Sequence, residues 1–328
     1  MPCSGSEPTD ISERLRMMDD AGVEMQILSA TPQMPYFDNE ADAIEASRLA
    51  NDMYAELVGK HPDRFAAFAA APLPHGEAAA AEVARAMDSL GFLGATVSTV
   101  VLDRTLGDPA FEPFWAELDK RSAPVFIHAA GKDLDSALIS DHGLTWIVGA
   151  PFEDTVGVLH LLRAGVTARY PRVKFIVAHL GGPLPFLLQR IDDNYNHYNE
   201  AFPDQPSKLL RNMWYDTANF HAPALRCTID SFGIDKILLG SDFPYFRDDL
   251  YTRAVRYMDQ SEISDSRTDT DPRPQRCHSP GLRVGRVIRH IRERWSGPAL
   301  PEPPACVPDF AGVLCRLSFQ GGGGMSPR

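Results

Sequence analysis

The sequence is poor in cysteine and has no long apolar run. Its 328 residues include five cysteines, which lack the CxxC spacing of a thiolate zinc site. Sparse, odd-numbered cysteines are typical of reduced thiols in the cytoplasm and argue against a disulfide framework. No apolar stretch approaches the ~18 residues of a spanning helix, and the opening MPCSGSEPTD has neither the basic start nor the apolar core of a secretory signal. We therefore expect a cytoplasmic protein that does not enter a membrane.

Positive charge is also scarce, and it is unevenly distributed. The net charge of −12 argues against nucleic-acid binding. Residues 261–328 nevertheless hold ten Arg, no Lys and seven acids, together with nine Pro and eight Gly. We therefore predict an irregular N-terminus at 1–10, a folded body at 11–260 and an Arg-, Pro- and Gly-rich tail at 261–328. The abrupt change in composition suggests a frameshift or an alternative exon, with a disordered tail as the second interpretation.

Apolar runs alternate with helical periodicity through the body. The predicted strands are residues 23–30, 64–73, 93–101, 124–128, 173–179, 213–219 and 236–242. The predicted helices are residues 11–21, 39–60, 77–90, 111–121, 154–169, 184–198, 224–232 and 248–259. Strict alternation with continuously apolar strands is typical of a parallel sheet covered on both faces.

Two α/β folds are consistent with this alternation. An open, doubly wound sheet would carry a glycine-rich phosphate loop after an early strand, and the sequence has no GxGxxG or Walker-type loop. A (β/α)8 TIM-type barrel needs eight strands, whereas this pattern gives seven and opens on a helix. We therefore predict a distorted (β/α)8 TIM-type barrel whose first strand is missing or replaced.

Three polar residues stand at the ends of apolar strands. His128 ends PVFIH, His179 ends VKFIVAH and Asp242 ends KILLGSD. Because the C-terminal ends of barrel strands meet at one mouth, we expect these side chains to converge there. Imidazole and carboxylate together suit zinc, manganese or iron. The alternative is that the histidines are hydrogen-bonded loop residues and that Asp242 caps a turn.

Four other residues are weaker candidates. Asp216 lies inside the strand at 213–219 and is a predicted partner of a metal ligand. Trp146 and Phe152 lie in the long segment after the fourth strand, where they either line a substrate pocket or pack against the body. His221 lies just beyond the strand at 213–219, with a structural loop role as the alternative.

These residues resemble the amidohydrolase-related family. The similar stretches are FIHAAG, PFEDTVGVLHLLRAGVTARYPRVKFIVAHLGGPLPFLLQR, YDTANF and DKILLGSDFPYF. They resemble in particular the branch that contains aminocarboxymuconate-semialdehyde decarboxylase and the resorcylate- and salicylate-type decarboxylases. The resemblance implies a distorted barrel with His128 and Asp242 as metal ligands. It also implies that His179 is a catalytic base or proton shuttle and that Asp242 takes part in proton transfer.

The function that this resemblance implies is metal-dependent decarboxylation, a carbon–carbon lyase reaction. The expected substrate is a small carboxylate of aromatic or muconate type, the expected ion is zinc with manganese second, and the expected assembly is a homodimer. One alternative is hydrolysis of a lactone or an amide by the same residues. A non-catalytic protein is the other, because the family opens with a strand carrying HxH or ExH ligands and closes with a further helix, and neither is found here. Two protein ligands are few for a tight metal site.

Overall fold

The computed structural model describes residues 8–195, 197, 202–260 and 313–317. Within these residues the strands are β1 (Val23–Leu28), β2 (Phe65–Ala70), β3 (Gly94–Ser98), β4 (Val100–Val101), β5 (Arg104–Thr105), β6 (Pro124–His128), β7 (Lys174–Val177), β8 (Trp214–Asp216), β9 (Ile237–Leu238) and β10 (Val313–Leu317). The helices there are α1 (Pro8–Ala21), α2 (Glu40–Lys60), α3 (Gly76–Ser89), α4 (Glu112–Arg121), α5 (Ala137–Ser140), α6 (Ala150–Arg163), α7 (Val166–Arg169), α8 (Leu184–Tyr195), α9 (Pro206–Leu210), α10 (Ala222–Phe232) and α11 (Asp249–Arg256).

One sheet organises these elements. It has the order β10-β1-β2-β3-β6-β7-β8-β9, while β4 and β5 form a small antiparallel pair of their own. From β1 to β9 every neighbouring pair in the sheet is parallel. Helices connect these strands, as parallel crossovers require. Each of the seven predicted strands has its counterpart in this sheet, and the α/β fold is confirmed.

The tail contributes a strand where none was predicted. β10 runs antiparallel to β1, with Gln26 paired to Cys315 and Leu28 paired to Val313. It thereby covers an edge of β1 that would otherwise present unpaired backbone groups. The rest of the predicted tail, at 261–312 and 318–328, lies outside the described residues, and so do residues 1–7. Residues 8–10, predicted as irregular, begin α1, because proline suits the first turn of a helix.

The helix predicted at 154–169 starts at the wrong residue and is interrupted, although its predicted end agrees with the end of α7 at Arg169. It is divided into α6 and α7 by Gly165, whose φ of 69° is a left-handed conformation that ends helices. α6 also begins four residues early, at Ala150, with Pro151 in its first turn. This earlier start places Glu153 in the first turn of α6 and Asp154 directly after that turn.

The core has two layers. The inner layer lies inside the curl of the sheet, below the C-terminal ends of the strands. Phe68 and Phe126 stack inside the curl with their ring centroids 6.4 Å apart, in one cluster with Ile27, Ile176 and Leu238. A larger apolar layer lies between the strands and the helices. Strand side chains alternate, so residues two positions beyond the inner core share its face. His128, two residues after Phe126, therefore stands directly above the inner core.

No helix in the described part of the chain combines the length and the apolar character that crossing a membrane requires.

Candidate metal centre

Three of the predicted site residues converge at the C-terminal edge of the sheet. His128, His179 and Asp242 each offer a nitrogen or oxygen atom, and these three atoms all lie within 4.8 Å of one another. The imidazole rings of His128 and His179 have centroids 4.7 Å apart. His128 ends β6, while His179 and Asp242 follow β7 and β9, so the convergence results from the parallel arrangement of those strands.

The His128 imidazole is in the form that binds metals. Its Nδ1 lies 2.9 Å from the carbonyl oxygen of Ala129, and since a carbonyl only accepts, Nδ1 must donate its proton. The lone pair therefore resides on Nε2. Burial, together with the positive charge of His179, lowers the pKa of His128 to about 3, so the ring is neutral at ordinary pH.

His179 carries a different charge because an acid contacts it directly. Its Nδ1 lies 2.6 Å from Oδ2 of Asp154, which is fully buried. Burial lowers the pKa of this imidazole, but the carboxylate of Asp154, together with those of Asp242 and Asp216, outweighs burial and raises the pKa to about 10. His179 is therefore a cation at neutral pH.

Two buried carboxylates and the half-buried carboxylate of Asp242 lie close together in the same site. Burial raises the pKa of Asp154 to about 6 and that of Asp242 to about 7, and it also raises the pKa of Asp216. The neighbouring carboxylates raise the Asp242 pKa further, because like charges disfavour ionisation. Such a site gains stability from an additional cation. A neutral imidazole and a carboxylate within reach of each other are the donors that zinc or manganese prefers, so these residues fit a divalent metal ion.

Asp216 holds the turn that carries His179. Its Oδ1 accepts hydrogen bonds from the backbone N–H of His179 at 2.8 Å and from that of Ala218 at 3.0 Å. Asp216 was predicted as a partner of a metal ligand, and its contact with His179 is through the main chain. Gly240 backs this carboxylate: a Cβ at position 240 would lie 2.6 Å from Cγ of Asp216.

The weaker candidates are dispersed around the cluster. Trp146 is 39% exposed, covers Gly131 and stacks on Tyr245 with a centroid distance of 6.1 Å. Phe152 is 45% exposed in the first turn of α6. His221 is exposed at the residue before α10 and does not belong to the three-residue cluster.

Glu153 and Asp154 are two buried acids beside the cluster that the sequence interpretation did not place there. Both are buried, and both direct carboxylate oxygens at the residues that follow strands β6 and β7. The sequence contained a signal for Asp154, because this acid shares a helical face with Val158 and Leu161. An apolar residue is expected at each position of a face that packs on the core. An acid on such a face needs a buried partner.

Comparisons with known proteins identify the family of the chain. The chain matches the amidohydrolase family over residues 4–271 and belongs to it. It is 35% identical, over 254 residues, to gamma-resorcylate decarboxylase from Rhizobium sp. (strain MTP-10005), a match that covers 71% of this chain and 76% of that protein. It is 30% identical, over 244 residues, to 2-amino-3-carboxymuconate-6-semialdehyde decarboxylase from Dictyostelium discoideum, covering 72% of this chain and 67% of that protein.

A solved structure extends the similarity to the fold. Dihydroxybenzoic acid decarboxylase from Polaromonas sp. JS666, with bound manganese and the inhibitor 2-nitroresorcinol, is 30% identical and superposes with a TM-score of 0.69. The match covers 77% of this chain and 80% of that one. The resemblance to the decarboxylase branch, and the distorted TIM-type barrel that it implied, are confirmed.

Replacing Gly240 with Ala should destabilise the protein. The added Cβ would meet the Asp216 carboxyl group at 2.6–3.0 Å, so either the carboxylate or the strand must shift. Overpacking of this kind costs about 1–3 kcal/mol of unfolding free energy. Thermal unfolding of the full chain measures it as a lower Tm.

Gly59→Ala is the matched control. A Cβ at Gly59, inside α2, meets nothing within 4 Å, and glycine in a helix is unfavourable by roughly 0.5–1 kcal/mol relative to alanine. This variant should unfold at the same or a higher temperature than the parent chain. Equal Tm values for the two variants would contradict the role given to Gly240.

Proposed function

We propose that this chain is a metal-dependent decarboxylase that removes CO2 from a small aromatic carboxylate. The observation that carries the proposal is the cluster of His128, His179 and Asp242, whose donor atoms lie within 4.8 Å of one another at the strand ends. The relatives named above support the reaction class, since they are decarboxylases of a resorcylate, a carboxymuconate semialdehyde and a dihydroxybenzoic acid.

His128 and Asp242 are the proposed metal ligands. Nε2 of His128 carries a lone pair, and the carboxylate of Asp242 belongs to a buried group of acids that a cation would stabilise. A divalent ion held there supplies Lewis-acid stabilisation of negative charge on the substrate's carboxylate and neighbouring oxygen. Zinc was the first expectation from the sequence, while the manganese in the Polaromonas structure supports manganese. We therefore propose a site that accepts either ion.

His179 is the proposed proton donor. Asp154 holds Nδ1 of its ring, so Nε2 delivers the proton to the substrate carbon that bears the carboxylate. The bond between that carbon and the carboxylate then breaks, its electron pair stays with the substrate, and CO2 leaves. Nε2 of the neutral ring then takes up a proton from water, so each turnover consumes one proton from solvent and restores the charged ring beside Asp154.

Trp146 is a proposed substrate contact. Its indole joins the segment after β6 to the loop after β9 by stacking on Tyr245, and it remains partly exposed. Stacking of an aromatic substrate on the exposed part of this indole would strengthen substrate binding. Phe152 and His221 are exposed and outside the cluster, so the proposal gives them no part in substrate binding.

Decarboxylation is measured directly as CO2 release. Full-length protein loaded with Zn²⁺ or Mn²⁺ should release CO2 from 2,6-dihydroxybenzoate or another hydroxybenzoate, without incorporation of oxygen from labelled water. Hydrolysis of lactones and amides serves as the control, because ring opening incorporates that oxygen. If no carboxylate releases CO2 and the metal content stays well below one ion per chain after loading, the non-catalytic alternative replaces this proposal.

The different roles proposed for Asp242 and His179 predict different effects when each residue is replaced by alanine. Asp242→Ala should abolish activity and lower the metal content, because a ligand is lost. His179→Ala should lower activity by roughly 10²-fold or more, since it removes general acid catalysis, but should keep most of the metal. Metal analysis of the purified variants separates the two cases. An equal loss of metal would make His179 a ligand and overturn the roles proposed here.

We also propose that the chain forms a homodimer. Phe186 is 83% exposed near the start of α8, and Phe152 is 45% exposed at the start of α6. A Cβ at Gly182 would overlap the carbonyl oxygen of Pro151, so the starts of these two helices are neighbours. Exposed aromatic side chains on adjacent helices are typical of interfaces.

Sedimentation should give a mass twice the 36.2 kDa of the chain. Phe186→Glu should shift the distribution towards monomer, because a charge in the interface is costly to bury. Leu49→Glu, at a 44% exposed position on α2, is the control and should leave the dimer intact. A parent chain that is monomeric at every concentration would refute the proposed assembly.

A further inference from the structure

Glu153 is a buried acid for which the proposed mechanism has no use. It is 1% exposed, and its carboxylate receives four hydrogen bonds. Oε2 accepts from the backbone N–H of Ala130 at 2.8 Å and from that of Gly131 at 3.1 Å. Oε2 also accepts from Oγ1 of Thr99 at 3.2 Å, and Oε1 accepts from the N–H of Asp133 at 2.7 Å. Three of the four donors are main-chain groups of the loop that follows His128.

One of these contacts reaches the His128 ring through a single peptide group. The N–H of Ala130 and the carbonyl of Ala129 belong to the same peptide unit, which is planar and rigid. Its N–H donates to Glu153, and its oxygen accepts from Nδ1 of His128 at 2.9 Å. Hydrogen bonds in such a chain polarise one another in a low-dielectric interior. The Glu153 carboxylate therefore both orients the carbonyl and strengthens it as an acceptor.

The loop needs an anchor because its backbone is unfavourable. Asp133, Leu134 and Asp135 all have left-handed φ values, of 56°, 52° and 57°. Non-glycine residues in that region cost about 1–3 kcal/mol each and persist only where surrounding contacts fix them. Glu153 holds the first of the three, through the N–H of Asp133. Without it, the loop would be expected to relax and take the Ala129 carbonyl with it.

We propose that Glu153 is a positioning residue for the metal centre, acting on His128 through the Ala129–Ala130 peptide. The neighbouring Asp154 acts on His179 by direct contact, so two consecutive acids near the start of α6 orient the two imidazoles of the cluster. The inference rests on the proposed function in one respect, which is that His128 is a metal ligand. Partners that orient a ligating histidine usually contribute 10–100-fold to metal affinity or activity.

Glu153→Gln is the diagnostic substitution. The glutamine oxygen can take the place of Oε2, but its NH2 group then faces the N–H of Asp133, donor against donor. We expect the full-length variant to fold and to bind Mn²⁺ with a dissociation constant about 10-fold higher or more. Hydrogen exchange at the amides of Ala130, Gly131 and Asp133 should become faster.

Glu82→Gln is the matched control. Glu82 is also a buried helical glutamate, 3% exposed, and it binds Asn51 and Arg85 away from the cluster. This variant should lose stability but keep the Mn²⁺ dissociation constant and the slow exchange of the loop amides. If Glu153→Gln and Glu82→Gln give the same dissociation constant, Glu153 is only structural and the inference is overturned.

If the proposed function is wrong, the metal-binding experiment gives a different result from the one expected if only the inference about Glu153 is wrong. A parent chain that binds neither Mn²⁺ nor Zn²⁺ refutes the metal site itself. Exchange at Ala130 then decides whether Glu153 holds the peptide that contacts His128. Unchanged exchange in Glu153→Gln would refute the inference in that case too.

Discussion

Buried negative charge at the mouth of the sheet is the constraint on which the site depends. Asp154, Asp216 and Asp242 lie close enough to affect one another's ionisation, and burial raises the pKa of each. Burying several like charges is tolerable only when cations accompany them. His179 supplies one cation, because the Asp154 carboxylate keeps its ring protonated. A divalent ion would supply the second, so electrostatics alone favours the metal on which the proposed chemistry relies.

The two imidazoles differ in charge because their hydrogen-bond partners differ. His128 donates to a neutral carbonyl and is neutral, whereas His179 donates to a carboxylate and is charged. One ring therefore suits metal ligation and the other suits proton delivery, although both belong to the same residue type and their centroids are 4.7 Å apart. The start of α6 is connected to both rings: Asp154 contacts His179 directly, and Glu153 accepts from the peptide N–H whose own carbonyl accepts from His128.

Much of this site could be predicted from the sequence, since apolar runs that end in a polar residue are a local signal. The positions of His128, His179 and Asp242 follow from that signal and from the parallel order of the strands. The start of α6 was misjudged by four residues, which left Glu153 outside the predicted helix, because a helix boundary depends on the fit of its first turn as well as on periodicity. β10 was missed for another reason: its pairing with β1 joins residues about 290 positions apart in the chain, and composition does not encode such pairing.

The side-chain orientation of His179 depends on a turn. Strand alternation alone would give this side chain a different orientation. Ile176 belongs to the inner core, so by alternation residue 178 faces inward and residue 179 faces the helices. His179 nevertheless contacts the inner side, because its φ of 53° and the φ of 58° at Leu180 reverse the chain directly after β7. Asp216 holds this reversal through the N–H of His179, and Gly240 leaves room for that carboxylate. The direction of the proposed proton donor is thus set by a neighbouring strand, and a local change there would displace His179 without touching its own side chain.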